Sequence, residues 1–219
     1  MEAQTSKDLV IFDLDGTLVD SSEDIAWVAN RTLEALGHPV MLESAIRERI
    51  GWGIKMLLTQ IMPHESPERL SEARGVFLDY YAGHLVVKSV LYPGVAETIQ
   101  MLSAREKRLA VLTNKPYNLS VEILDFFFGG ETFEVVFGGD SLDKRKPDPM
   151  PVRRILATLG VDAVDAVIVG DSPVDIEAGK GAGIYTIGAA YGFRGTEELE
   201  EAGADIIIDS FSELKRILV

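Results

Sequence analysis

The chain has 219 residues, no cysteine, and a formal net charge of -14 from 21 basic and 35 acidic side chains. The missing cysteine excludes disulfides, thiolate metal centres and cysteine nucleophiles, and the negative field repels nucleic acid and anionic membrane. With 47% hydrophobic residues the chain can bury a full core, yet no run approaches the ~18 apolar residues of a membrane span; the expectation is a soluble, cytoplasmic protein, a monomer or homodimer, with no nucleic-acid or membrane partner.

The first predicted strand is the apolar run Leu9 to Phe12, and it leads directly into Asp13-Leu14-Asp15-Gly16-Thr17. Two carboxylates two residues apart repel, and such crowding is tolerated where a cation or a proton compensates it. The stretch therefore asks for a metal ion, a proton-transfer role, or both.

From Ser21 to about Lys88 the pattern is helical only. Ile25, Val28, Ala29, Thr32, Leu33 and Leu36 share one helical face and Gly37 stops the first helix; Ala45 to Ile50, Ile54 to Ile61 and Pro67 to Val86 predict three more, broken by Gly51-Trp52-Gly53 and Met62-Pro63. Five further β-branched runs come later in the chain, at Arg108 to Thr113, Glu134 to Gly138, Ala166 to Gly170, Tyr185 to Ala189 and Asp205 to Asp209. Each is nearly continuous in apolar residues, as for strands covered on both faces. The expected fold is α/β: a doubly wound, mostly parallel, Rossmann-like sheet formed by residues 1–20 and 89–219. A small helical cap of residues 21–88 is inserted after the first strand.

Ligands of open α/β sheets bind beyond the carboxyl ends of the strands. The segments after those strands are polar here: Asp13 and Asp15, then Thr113-Asn114-Lys115-Pro116, then the loop with Lys146-Pro147-Asp148-Pro149, then Gly170-Asp171-Ser172-Pro173-Val174-Asp175. Carboxylates, a hydroxyl–amide pair and a lysine suit a hard cation such as Mg²⁺ together with an anion. Phosphoryl transfer needs those parts, with a carboxylate able to act as nucleophile. One aspartate would attack and the other would move a proton.

In order and placement these segments resemble the four signature motifs of the haloacid dehalogenase superfamily, over nearly the whole chain. The resemblance implies Asp13 as nucleophile and metal ligand. Asp15 is implied as general acid and then base, lending its backbone carbonyl to the metal. Thr113 and the backbone at Asn114 would hold the phosphoryl oxygens, and Lys146 would neutralise charge. Asp171 would complete the Mg²⁺ site, with Asp175 in or just behind it. The helical insertion resembles that family's cap, where Trp52 and Gly53 are candidate substrate contacts. Arg47, Arg49, Lys55 or the Gly51 to Gly53 backbone are the nearest offers for a second substrate charge.

Other readings stand beside these. Asp175 also fits a helix start after Ser172, Lys146 also fits a solvated basic loop, and Asp-x-Asp-Gly also occurs in calcium loops. Gly179-Lys180-Gly181 lacks the spacing of a phosphate loop and reads as a helix end; His38, His64 and His84 share no spacing, and Phe126 to Phe128 read as packing. The implied activity is a phosphomonoesterase acting on a small phosphorylated metabolite, most like the family branch specific for 2-phosphoglycolate. The alternatives are a sugar-phosphate mutase and a non-catalytic metal- or phosphate-binding protein.

Overall fold

A computed structural model describes residues 7–218. Strands β1 (Leu9–Phe12), β4 (Arg108–Leu112), β5 (Val135–Phe137), β6 (Ala166–Gly170), β7 (Tyr185–Ala189) and β8 (Ile206–Ile208) form one sheet in the order β5-β4-β1-β6-β7-β8. All five pairings are parallel. The remaining strands, β2 (Val19–Asp20) and β3 (Val90–Leu91), pair with each other antiparallel. Three of the six predicted strands match in both bounds, and the other three are shorter by one residue at one or both ends.

Period-two alternation sends the side chains of each strand to opposite faces. Val10 and Phe12 of β1 join Val111, Val167 and Val169 on one face, while Leu9 and Ile11 join Ala110, Leu112 and Ile168 on the other. Helices α5 (Val95–Ala104) and α6 (Tyr117–Phe128) cover the first face through Ile99, Leu102 and Ile123; helices α7 (Met150–Leu159) and α8 (Pro173–Ala182) cover the second through Ile155 and Ala178. All four side chains of β1 are fully buried. Burying an aliphatic or aromatic side chain of this size contributes roughly 1.5–3 kcal/mol, so this sheet centre is a rigid base for the residues at its carboxyl end. The short helices α9 (Thr196–Glu201) and α10 (Leu214–Ile217) complete the layers.

Between β2 and β3 lie α1 (Ser22–Ala35), α2 (Glu43–Arg47), α3 (Ile54–Ile61) and α4 (Pro67–Ala82). Here the bounds expected from the sequence need correction. The second helix starts and finishes earlier than Ala45 to Ile50, because Arg49 and Ile50 close successive turns onto Ile46 and Arg47 carbonyls. The fourth ends at Ala82, before the apolar pattern does at Val86, with Gly83 as its cap. Ser66 starts that fourth helix, its Oγ accepting from Arg69 N at 3.3 Å, with Pro67 in the first turn.

The β2–β3 ribbon joins the two connections at the base of these helices, and Asp24 ties it down. Its buried carboxylate accepts from the backbone N–H groups of Val87, Lys88 and Ser89 at 2.8–3.1 Å and from Ser89 Oγ at 2.6 Å. His84 Nε2 lies 3.2 Å from the same carboxylate and its ring stacks on Trp27. His38 pairs with Glu65 at 2.9 Å. Both histidines thus have structural partners. Phe127 and Phe128 pack against the core, while Phe126 is 67% exposed. Gly179 and Gly181 lie in the last turn of α8, which ends at Gly183; a Cβ on Gly179 would stand 2.5 Å from Ile168, so that glycine lets helix and sheet approach.

Candidate active site

Among the six strands of the sheet, β1 and β6 are neighbours in space but not in sequence, which makes the crevice between their carboxyl ends the place where the winding reverses. Asp13 and Asp171 are the first residues past those two strands. The register is held by Asp13 N donating to Val169 O at 2.9 Å. Gly16 adopts φ +90, and a Cβ there would fall 2.2 Å from Asp171 Oδ2, so only glycine lets this turn pass over the carboxylate. Gly170 has the same role toward Asp175, with a Cβ clash of 2.2 Å.

Asp13, Asp171 and Asp175 bring one carboxylate oxygen each to within 4.8 Å of one another, all three buried. Among the described residues one ammonium is paired with this cluster. Lys146 Nζ, on a side chain that is almost wholly buried, stands 2.9 Å from Asp13 Oδ1 and 2.5 Å from Asp175 Oδ1. Burial opposes the ammonium, but the two carboxylates prevail and hold Lys146 above its ordinary range. Asp175 also accepts from Ser172 N and Oγ through its other oxygen. Helix capping and membership of the acidic cluster, posed as alternatives for this residue, are therefore compatible.

Three desolvated carboxylates with one ammonium are undercompensated. Burial, aided by Asp175 and Asp15 and opposed by Lys146, pushes Asp13 up to about 7, and burial followed by Asp13 and Asp175 raises Asp171 well above its ordinary value. Carboxylates whose hold on the proton is strengthened in this way are what a divalent cation would displace protons from, and the all-oxygen donor set suits a hard ion. The linkage has a definite sign. Between the unfolded value of 3.8 and the folded value of about 7, the native state keeps protons that the unfolded chain has released, so metal-free stability falls as pH rises through that window. Unfolding free energies from urea titrations without metal should therefore drop by a few kcal/mol from about pH 4 to about pH 8, and saturating Mg²⁺ should flatten the profile with proton release measurable by calorimetry. A flat metal-free profile would contradict the undercompensated cluster.

Asp15 points elsewhere. Its oxygens both lie 2.8 Å from Lys115 Nζ, and Oδ1 also accepts from Ser21 Oγ at 2.6 Å, so its side chain stands outside the three-carboxylate cluster. Lys115 is buried, with its ammonium 4.7 Å from the ring centroid of Tyr81 on α4. Burial works against that ammonium too, yet Asp15 and Tyr81 hold it above its ordinary range. Sequence reasoning placed Lys115 in the polar exit of β4 without giving it a role, and it did not single out Tyr81.

Thr113 and Asn114 line the same pocket, both buried. The Asn114 amide donates to Gly51 O at 3.0 Å and Lys146 O at 3.1 Å, linking the turn after α2 to the lysine loop, while its Oδ1 has no partner. Gly53 lines the pocket as expected, together with Ile25, Ile54, Leu57, Phe77 and Tyr81 from the helices. Trp52 does not: successive residues of the turn face opposite ways, and Trp52 lines an open groove beside Met56 and the loop 143–148. Arg47 bonds Gly192 O at 3.4 Å and lies over Phe193, Arg49 bonds Ala45 O, and Lys55 is exposed. Those three cations are engaged or placed outside the pocket.

Residues 10–189 match the sequence profile of the haloacid dehalogenase-like hydrolases, and the chain belongs to that family. Over 215 residues it is 38% identical to the phosphoglycolate phosphatase of Colwellia psychrerythraea, covering 95% of both chains. Over 220 residues it is 35% identical to that of Vibrio cholerae, covering 96% of each. The crystal structure of a protein from Haemophilus somnus, described as a predicted phosphoglycolate phosphatase, superimposes with a TM-score of 0.93 at 32% identity over 99% of this chain and 100% of that one. With the parallel sheet and the acidic crevice, these place the chain among the phosphoric monoester hydrolases, with a small phosphorylated molecule as substrate. Among the described residues no helix is long and apolar enough to cross a membrane.

Proposed function

We propose that the protein is a Mg²⁺-dependent phosphatase that converts 2-phosphoglycolate to glycolate and phosphate through a phosphoaspartate on Asp13. The observation that carries this reading is the buried cluster Asp13–Asp171–Asp175 with Lys146 paired to Asp13 and Asp175, Asp13 itself lining the pocket. The relatives named above are phosphoglycolate phosphatases, which supports this substrate over a hexose phosphate and disfavours the mutase alternative.

Asp13 Oδ attacks phosphorus, the bond from phosphorus to the ester oxygen breaks, and Asp15 delivers a proton to the departing oxygen. Asp15 then takes a proton from the water that attacks the phosphoaspartate, freeing phosphate and regenerating Asp13. Lys146, already on Asp13, meets the phosphoryl oxygens as a compact charge, and Thr113 with the Asn114 backbone holds the remaining ones. Asp13, Asp171, Asp175 and the Asp15 carbonyl would hold Mg²⁺, which supplies charge neutralisation at the phosphoryl group. Residues 21–88 act as a cap over a core of 1–20 and 89–219: Ile25, Ile54, Leu57 and Phe77 from these helices form the apolar lid. Such a lid excludes water from the attack on the ester.

Phosphate release from a panel of 2-phosphoglycolate, glucose 1-phosphate and p-nitrophenyl phosphate tests the reading. Phosphoglycolate is expected to show the highest kcat/KM, and EDTA to remove activity by at least about 100-fold, restored by Mg²⁺ and poorly by Ca²⁺. Activity indifferent to EDTA, glucose 6-phosphate as product, or no turnover anywhere in the panel would each reject it.

A further inference from the structure

The pocket above Asp13 is apolar on the side of the helices, yet it contains two polar groups that the chemistry at phosphorus does not use. One is the Lys115 ammonium, 2.8 Å from both oxygens of Asp15. The other is the hydroxyl of Tyr81, a residue 1% exposed whose ring centroid lies 4.7 Å from that ammonium; the hydroxyl interacts with the ammonium and, among the described residues, has no acceptor for its own proton. A buried hydroxyl with a proton still to donate, lining a pocket next to a buried cation, is an arrangement an anionic ligand completes.

We propose that Lys115 and the Tyr81 hydroxyl form the receptor for a carboxylate on the leaving group, making the enzyme selective for phosphate esters of short 2-hydroxy acids. The proposal rests on the phosphatase reading above and specifies what the pocket recognises. A carboxylate brought into so enclosed a space needs a cation and hydrogen-bond donors to replace its lost hydration. Among the described residues, Lys115 is the one cation lining this pocket. In an ester of a 2-hydroxy acid the carboxylate is one carbon from the ester oxygen, so it must sit beside the group that protonates that oxygen. Lys115 is the cation in contact with that group, Asp15. A lysine ammonium has three N–H donors, and Asp15 has an independent donor in Ser21 at 2.6 Å, so the ammonium can turn to the substrate without stranding Asp15. In the free site the Asp15 carboxylate takes the place the ligand's carboxylate claims.

The test compares 2-phosphoglycolate with ethyl phosphate, which keeps the two-carbon skeleton and lacks the carboxylate. Wild-type enzyme is expected to favour phosphoglycolate, and Lys115→Met to lower the ratio of kcat/KM values, phosphoglycolate over ethyl phosphate, by at least about 30-fold, mainly through KM. Lys115→Arg should recover part of the ratio. Tyr81→Phe keeps the ring and removes only the hydroxyl, so it carries the test even if Lys115→Met folds poorly, and should lower the ratio about 3- to 10-fold. An equal loss on both esters in Lys115→Met, an unchanged ratio in Tyr81→Phe, or a wild-type enzyme without preference would overturn the proposal. Wild-type enzyme that hydrolyses neither ester would instead overturn the phosphatase reading itself.

Discussion

Asp13→Asn should eliminate phosphate release, by about 10⁴-fold or more, on p-nitrophenyl phosphate as well as on phosphoglycolate. An amide has no anionic oxygen with which to attack phosphorus, and a good leaving group cannot compensate for a missing nucleophile. The fold should survive. Asn fills the same volume, its Oδ1 can still accept from Leu14 N, now 2.7 Å from Asp13 Oδ1, and its neutrality relieves the crowding with Asp171 and Asp175. Metal-free Asp13→Asn is therefore expected to be at least as stable toward urea as wild type at about pH 8, while binding Mg²⁺ more weakly. Residual turnover above about one percent in this variant would place the nucleophile elsewhere.

Lys146→Met should be damaging in two separable ways. The ammonium lies between Asp13 at 2.9 Å and Asp175 at 2.5 Å with almost no exposure. Removing one partner of a buried ionic cluster costs about 3–5 kcal/mol because the remaining charges are left uncompensated. Without metal the variant should show that loss at neutral pH, where Asp13 is near its midpoint of about 7. Added Mg²⁺ should restore most of the stability, since a divalent ion can neutralise the same carboxylates. It should not restore the rate, expected to fall by about 10²–10³-fold, because methionine offers no donor to the transferring phosphoryl group. Metal-free stability equal to wild type would mean that the ion pair has no structural weight; recovery of the full rate with Mg²⁺ would remove Lys146 from the chemistry.

The strands were legible because each is a compact, nearly continuous apolar run. Leu9–Phe12, Ala166–Gly170 and Tyr185–Ala189 have the same bounds in the fold as in the pattern. The two-residue pairing of Val19–Asp20 with Val90–Leu91 was not legible. Its residues carry no periodicity, and the ribbon exists because two connections run side by side. The start of the fourth helix at Pro67 was legible, but its end at Gly83 fell inside a still apolar stretch. There a backbone break prevailed over side-chain pattern.

At the site, residue type and position after a strand were enough to single out Asp13, Asp15, Thr113, Asn114, Lys146, Asp171 and Asp175, since parallel winding brings successive strand ends to one edge. Trp52 illustrates the opposite case: an aromatic between two glycines draws attention, yet the direction of its side chain depends on the turn, which aims it at the outer groove. Tyr81 carries no such cue in the sequence, and packing of α4 over the crevice makes it a pocket wall. The amino-acid sequence alone determined the parallel sheet, the helical insertion and the chemical inventory of the crevice, because these depend on local hydrophobic period and on the residue types placed just after each strand. Tertiary structure alone decided how that inventory is partnered, with Lys146 on Asp13 and Asp175 and Lys115 on Asp15. Ion pairing in a buried site depends on distances of a few ångströms between segments far apart in the chain, which no local pattern encodes.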